Sequence, residues 1–196
     1  AKARVMALVF KEKFGVGKGI VAAYRKIAGT GKNRPEKVQA LFQQFLKRKP
    51  TKKELQEVDE HFGFHYEQSM HACPLFRCIS ALEGLKKRYF TFLLSLENKR
   101  EVVRIARHCG LAAYFHEILG GPKSKVENLQ HVIEKHHLSS KEVLYVGDSA
   151  SDIVAAKKVG VKVIILQKDW HSERAMRKLG AEAVIRSLCE MPERGL

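Results

Sequence analysis

Apolar positions recur along this chain at two different periods, and the change falls near Pro74. Between Ala3 and Phe14, Met6, Val9, Phe10 and Phe14 lie at helical spacing, yet Val5 to Phe10 is also an unbroken apolar run of strand length, so both readings stay open. Gly15-Val16-Gly17-Lys18-Gly19 predicts a turn, and Ile20 to Ala28 a short helix ended by Gly29-Thr30-Gly31. Pro35 suits the first turn of a helix whose stripe is Val38, Leu41, Phe42, Phe45 and Leu46, stopped by Pro50. Thr51 and Glu54 predict a capping box for a further helix running to about Met70. Residues 1–72 are therefore expected to be helical.

Past Pro74 strand-length runs alternate with helical stripes. Helices are predicted over Leu75 to Lys87, Lys99 to His108, Lys125 to His137, Asp152 to Val159 and Ser172 to Leu179. Between them, Tyr89 to Leu94 predicts a buried strand ending at Ser95, and Tyr114 to Leu119 leads to Gly120-Gly121-Pro122. Glu142 to Val146, Val161 to Leu166 and Ala183 to Ile185 predict the remaining strands. This rhythm predicts an α/β fold over 73–196, with a parallel sheet covered by helices on both faces.

Composition narrows the class. The chain has 196 residues, 45% hydrophobic and 29% charged, which suits one ordinary globular unit with an insert. No run approaches the eighteen or so apolar residues of a membrane span. The opening Ala1-Lys2-Ala3-Arg4 has no signal-peptide layout, and Cys73, Cys78, Cys109 and Cys189 form no CxxC pair or dense framework. Together they predict reduced, mostly buried thiols in an intracellular protein of the cytoplasm or mitochondrion. Charge is unusual: 36 Lys and Arg against 21 Asp and Glu give +15. Up to Met70 there are 15 basic and 7 acidic residues, so the excess is densest there. Such a field favours phosphate-rich partners. The run Lys47-Arg48-Lys49 with Lys52-Lys53 is the candidate nucleic-acid contact, and a solvated helix junction is the plain alternative.

Ligands bind open parallel sheets at the carboxyl ends of the strands. Ser95, Lys125, and Asp148 with Ser149 and Asp152 are predicted at such ends. A hydroxyl and a lysine suit an anion, and paired carboxylates suit Mg²⁺. Here the chain resembles the haloacid dehalogenase (HAD) superfamily. Val143-Leu144-Tyr145-Val146-Gly147-Asp148-Ser149-Ala150-Ser151-Asp152 looks like its fourth motif, Leu93-Leu94-Ser95 resembles the second, and Lys125 resembles the third-motif lysine, with Lys123 as rival. The helical residues 1–72 look like the cap of phosphoglycolate-phosphatase-like members. The resemblance implies a HAD-like, Rossmannoid core with a helical cap and a Mg²⁺-dependent phosphatase of small phosphorylated metabolites. Ser95 and Lys125 would hold phosphate, and Asp148 and Asp152 the metal.

One motif is missing. The family attacks phosphorus with the first Asp of an Asp-x-Asp pair, and the four aspartates here, Asp59, Asp148, Asp152 and Asp169, contain no such pair. No catalytic residue is assigned, and the chain as given is expected to be inactive. Either Ala3 to Val16 is the first cap helix and the nucleophile strand precedes residue 1, or Val5 to Phe10 is a displaced first strand with Lys11 and Lys13 where the acids belong. In the first case the middle of the sheet lacks a strand, at a cost of roughly 1–3 kcal/mol per buried unpaired backbone group. An upstream segment, a strand-donating partner chain, or 5–10 itself must fill that slot. A different expectation follows from charge: a non-catalytic, RNA-binding component of a ribonucleoprotein such as a mitochondrial ribosome.

Smaller features have plain readings. Gly29 to Arg34 lacks the Walker spacing and reads as a loop between cap helices. His61, His65 and His71 lack a further ligand in zinc spacing, His136-His137 reads as a helix end, and Trp170 as packing.

Overall fold

The computed structural model of the protein describes residues 1–28, 30–71, 78–167 and 172–191. Cys73, Pro74, Asp169 and Trp170, together with the side chain of His71, lie outside the described residues.

The first layer is helical: α1 (Lys2–Phe14), α2 (Ile20–Ile27), α3 (Arg34–Leu41) followed by a π-turn (Phe42–Leu46), and α4 (Lys52–His71). The strand alternative for Val5 to Phe10 is overturned. Val5, Met6, Val9 and Phe10 form one buried helical stripe, and the Phe10 ring stands edge-on to Phe14 and Phe42 at 5.4 and 5.6 Å. A strand would have sent alternate members of that stripe to opposite faces. Reciprocal capping starts the next helices: Asn33 with Glu36 opens α3, and the Thr51 and Glu54 side chains accept from each other's backbone N–H at α4. These helices share one hydrophobic core running from Val5 to Phe62.

The second layer is α/β. After α5 (Ala81–Arg88) come β1 (Phe92–Asn98), α6 (Lys99–His108), β2 (Glu117–Gly121), α7 (Lys125–Lys135), β3 (Leu144–Gly147), α8 (Ala150–Val159), β4 (Lys162–Leu166), α9 (Glu173–Leu179) and β5 (Ala183–Ile185). All ladders among the described residues are parallel, but they form two sheets, β1-β2 and β3-β4-β5. Leu129 of α7, Ile153 of α8 and Met176 of α9 form a second core, against which Leu94 of β1 and Tyr145 of β3 pack.

Two expectations fail. The strand predicted to end at Ser95 runs on to Asn98, because the register slips from Leu94 opposite Leu119 to Asn98 opposite Gly121. That bulge absorbs the polar residues Ser95 and Glu97 without ending the strand. The cysteines are not all thiols either: Cys78 and Cys189 form a disulfide with their Cα atoms 5.6 Å apart, while Cys109 is free. Their separation of 111 residues hid the pair, since only packing of the α5 end against the turn Leu188–Glu190 brings them together.

A buried ionic knot joins the layers. Arg34, 5% exposed, sends its guanidinium from α3 to Glu97 of β1, to Glu101 of α6 at 2.9 and 2.5 Å, and to Asp59 of α4 at 2.7 Å, over the face of Phe62. Lys2 adds a bond to Glu97 at 2.8 Å. Gly63 of α4 makes room, because a Cβ there would lie 2.5 Å from Glu101 Oε1. Burial alone would raise the Glu97 carboxyl, but Lys2 and Arg34 outweigh it and hold the group at about 2. Burial likewise opposes the Arg34 charge, yet the bonds to Glu101 and the nearby Glu97 drive it further above its ordinary value.

Arg34→Ala is expected to lower unfolding free energy by about 3–5 kcal/mol in urea titrations, since Glu97 and Glu101 would stay buried without their counter-charge. Lys2→Ala, at a partly exposed position, should cost under about 1 kcal/mol. Because the Glu97 carboxyl is depressed when folded, its stabilisation is complete above about pH 4.3 and is lost as pH falls toward 2. Glu97→Gln should flatten that acid limb of the stability profile.

Candidate phosphate and cation site

The candidate site lies where β3 and β2 hand over to their helices. Gly147 ends β3, and the chain turns through Asp148 and Ser149 into α8 so tightly that a Cβ on Gly147 would stand 2.3 Å from that of Asp152. Only glycine allows that approach. Asp152, in the first turn of α8 and 2% exposed, is the hub. Its Oδ1 accepts from Lys125 Nζ and from the Tyr145 hydroxyl, both at 2.6 Å. Its Oδ2 accepts from the Ser149 hydroxyl and, at 3.3 Å, from the Asp148 backbone N–H. Burial and the adjacent Asp152 carboxylate push the Tyr145 phenol well above its usual value, so it stays a donor.

Lys125 opens α7, whose start is fixed by the Ser124–Glu127 capping box, and its ammonium also donates to Ser151 Oγ at 3.0 Å. The rival Lys123 is exposed; its carbonyl accepts from Asn128 and its charge acts on Glu127. The cap reaches the same place: a Cβ on Gly31 would stand 3.5 Å from that of Ser151. One turn beyond Arg34, the half-buried Lys37 lies 5.8 Å from the Tyr24 ring. Burial lowers its pKa, and the neighbouring cations Lys2, Lys125 and Arg34 act in the same direction.

Of the residues expected at the rim, Lys125, Asp148 and Asp152 come together. Ser95 does not sit at a strand tip: it is the fourth residue of β1, and its hydroxyl accepts from the Glu97 N–H at 3.2 Å. Glu97 and Arg34 were not anticipated. A buried glutamate just past an apolar strand run was the available signal for Glu97, but nothing in the chain order pairs it with Arg34. The basic run spans the turn after the π-turn and the start of α4: Lys47, Arg48 and Lys49 lie in the turn, Lys52 and Lys53 open the helix, and all five are exposed. Arg48 is spent on Glu54, whose carboxyl that bond draws down to about 2. His65 faces Glu12 at 3.1 Å.

The residues accommodate magnesium only in part. The four donors occupy both oxygens of Asp152, so this carboxylate anchors Lys125 and is not open to a direct metal bond. Asp148, in the turn between β3 and α8, is the second carboxylate of the rim. Among the described residues no three His, Cys, Asp or Glu side chains are grouped to hold a metal ion.

A family model described as haloacid dehalogenase-like hydrolase matches residues 37–166. The chain is 28% identical over 182 residues to a phosphoglycolate phosphatase of Thiobacillus denitrificans, covering 89% of this chain and 74% of that protein. It is 30% identical over 141 residues to one from Vibrio parahaemolyticus, covering 69% of this chain and 61% of the relative. Among solved structures it resembles CbbY of Rhodobacter sphaeroides in complex with xylulose-1,5-bisphosphate, with a TM-score of 0.76 at 19% identity, covering 96% and 88% of the two chains. A protein from Haemophilus somnus described as a predicted phosphoglycolate phosphatase gives 0.75 at 20% identity, covering 95% and 87%.

Gly147→Ala should force the start of α8 away from β3, lowering stability by about 1–3 kcal/mol in thermal unfolding. Tyr145→Phe, which removes one of four donors to Asp152 and leaves the ring, should cost about 1 kcal/mol.

Proposed function

Because the chain belongs to the haloacid dehalogenase-like hydrolases, we propose that its rim is the phosphate-holding part of a phosphatase site for small phosphorylated metabolites, without the attacking group among these 196 residues. The observation that carries this reading is the buried Lys125–Asp152 pair at the carboxyl ends of β2 and β3. Asp152 holds the ammonium in place so that it can face an anion, and Asp148 stands beside it for a cation. Magnesium bound there would neutralise charge on the phosphoryl oxygens.

Two of the carboxylates near the rim are committed to partners within the chain. Asp152 is saturated by donors, and Glu97 is locked between Lys2 and Arg34. The rim of this chain therefore binds and does not turn over. Inorganic phosphate should bind in the presence of Mg²⁺, as read by ³¹P NMR line broadening. Lys125→Ala should weaken it at least about tenfold, the loss of one charge-assisted hydrogen bond, and Asp148→Asn should abolish its Mg²⁺ dependence. Mg²⁺-dependent release of phosphate from a panel of monoesters by this chain would overturn the inactive reading.

Net charge supports a second reading, a non-catalytic RNA-binding component of a ribonucleoprotein such as the mitochondrial ribosome. The observation that favours it is the +15 balance together with the exposed turn at 47–53. Binding to single-stranded RNA should then weaken with salt, log K falling by about 0.7 per log unit for each phosphate contact. A flat dependence removes this reading.

A further inference from the structure

We infer that the Cys78–Cys189 disulfide is a reducible clasp. A small dithiol opens it, and α5 with the turn Leu188–Glu190 then comes away from the α/β layer while the strands stay paired. The inference is independent of the rim and of the phosphate reading.

Three observations carry it. First, the bond is a long-range tie at a reachable place. It joins residues 111 positions apart and so closes a loop that contains every strand from β1 to β5. Cys189 is exposed and Cys78 half-buried, so a thiolate from solvent has access to the Cys189 side of the bond.

Second, the two pieces it joins are otherwise held weakly. None of the eight residues of α5 is buried. Leu82 and Leu85 are half-buried, and Lys86 Nζ donates to the Ala113 carbonyl at 2.6 Å in an exposed bond. The turn is held by bonds within itself. Arg186 N–H donates to Glu190, Cys189 N–H to Ser187 Oγ, and Glu190 N–H to the Ser187 carbonyl.

Third, α5 is too weak to persist untethered. Isolated helices shorter than about 12–15 residues are marginal in water. The N-cap Ser80 makes no side-chain cap bond, Gly84 lies in mid-helix, and the Glu83–Lys87 pair is exposed. Cys78 itself holds a left-handed backbone, φ 63°, which L-residues rarely adopt, so freeing it favours release. The loosening stops at Thr91. Its N–H donates to His116 Nδ1 at 3.1 Å, its hydroxyl to the Tyr114 carbonyl at 2.7 Å, and its carbonyl accepts from the His116 N–H at 2.8 Å. Beyond it β1 is already paired with β2.

The step is thiol–disulfide exchange. One thiolate of the dithiol attacks Cys189 Sγ, and Cys78 leaves as a thiolate that takes up a proton. The second thiolate of the dithiol then attacks the first dithiol sulfur, closing a cyclic disulfide and releasing the Cys189 thiolate, which is protonated in turn. Two electrons pass to the protein and the dithiol is oxidised.

The test oxidises the protein with excess oxidised glutathione and then adds dithiothreitol without denaturant. Alkylation with peptide mapping reads the bond, and hydrogen exchange reads the backbone amides. Cys78 and Cys189 should both become alkylated in the folded protein, and exchange at residues 85–88 should speed at least tenfold. Amides of β1 and β4 should keep their rates, and oxidised glutathione should restore the slow pattern. The double variant Cys78→Ser, Cys189→Ser should show the fast pattern from the outset and ignore dithiothreitol. Gly84→Ala, where a Cβ meets open space, should slow exchange in the reduced protein about fivefold. A bond that yields only after unfolding, α5 exchange that ignores the bond, or β1 and β4 speeding together with α5 overturns the inference. So do free thiols at Cys78 and Cys189 after the oxidation step.

Discussion

Arg34 is the residue on which the arrangement of this molecule turns. Its guanidinium is buried between three carboxylates from a cap helix, a core strand and a core helix, a geometry tolerable only while all three stay in place. The knot therefore does more than add stability. It fixes α3 over the carboxyl end of β1, carries Gly31 down onto Ser151, and holds the start of α1 beside Glu97. Cap and core have separate hydrophobic cores, and this polar joint, with the Arg104–Glu67 pair between α6 and α4 at 3.1 Å, links them.

The rim below the knot uses its charges in pairs. Asp152 gathers Lys125, Tyr145, Ser149 and the Asp148 amide, a small buried network in which each polar atom serves another. Such a network orients the lysine well and leaves Asp152 unable to react. The same reasoning applies to Glu97, whose charge is committed to Lys2 and Arg34. Both carboxylates are thus held by cations and donors of their own chain.

Much of this was legible in residue order. The cap at Thr51, the stripe from Val38 to Leu46 and the Gly147-Asp148-Ser149 turn are local features, and local features are what periodicity and spacing report. The first apolar run was not decidable in that way, since Val5 to Phe10 suits a helix or a strand until α2 and α4 cover one face of it. Ser95 was placed at a strand tip because its hydroxyl breaks an apolar run. The bulge that carries the strand on to Asn98 depends on the position of β2, which no short window contains.

The amino-acid order by itself determined most element types after the first apolar run, the cap at Thr51, the family resemblance and the presence of lysine and aspartates near strand ends, because each depends on neighbours within a turn or two. Tertiary structure alone decided that Arg34 meets Glu97 and Glu101 across more than sixty positions, that Cys78 meets Cys189, and that Asp152 is saturated. It also decided that one parallel sheet would be two. Those outcomes depend on which surfaces are brought within hydrogen-bonding distance once apolar faces are buried, and short-range pattern carries no record of that.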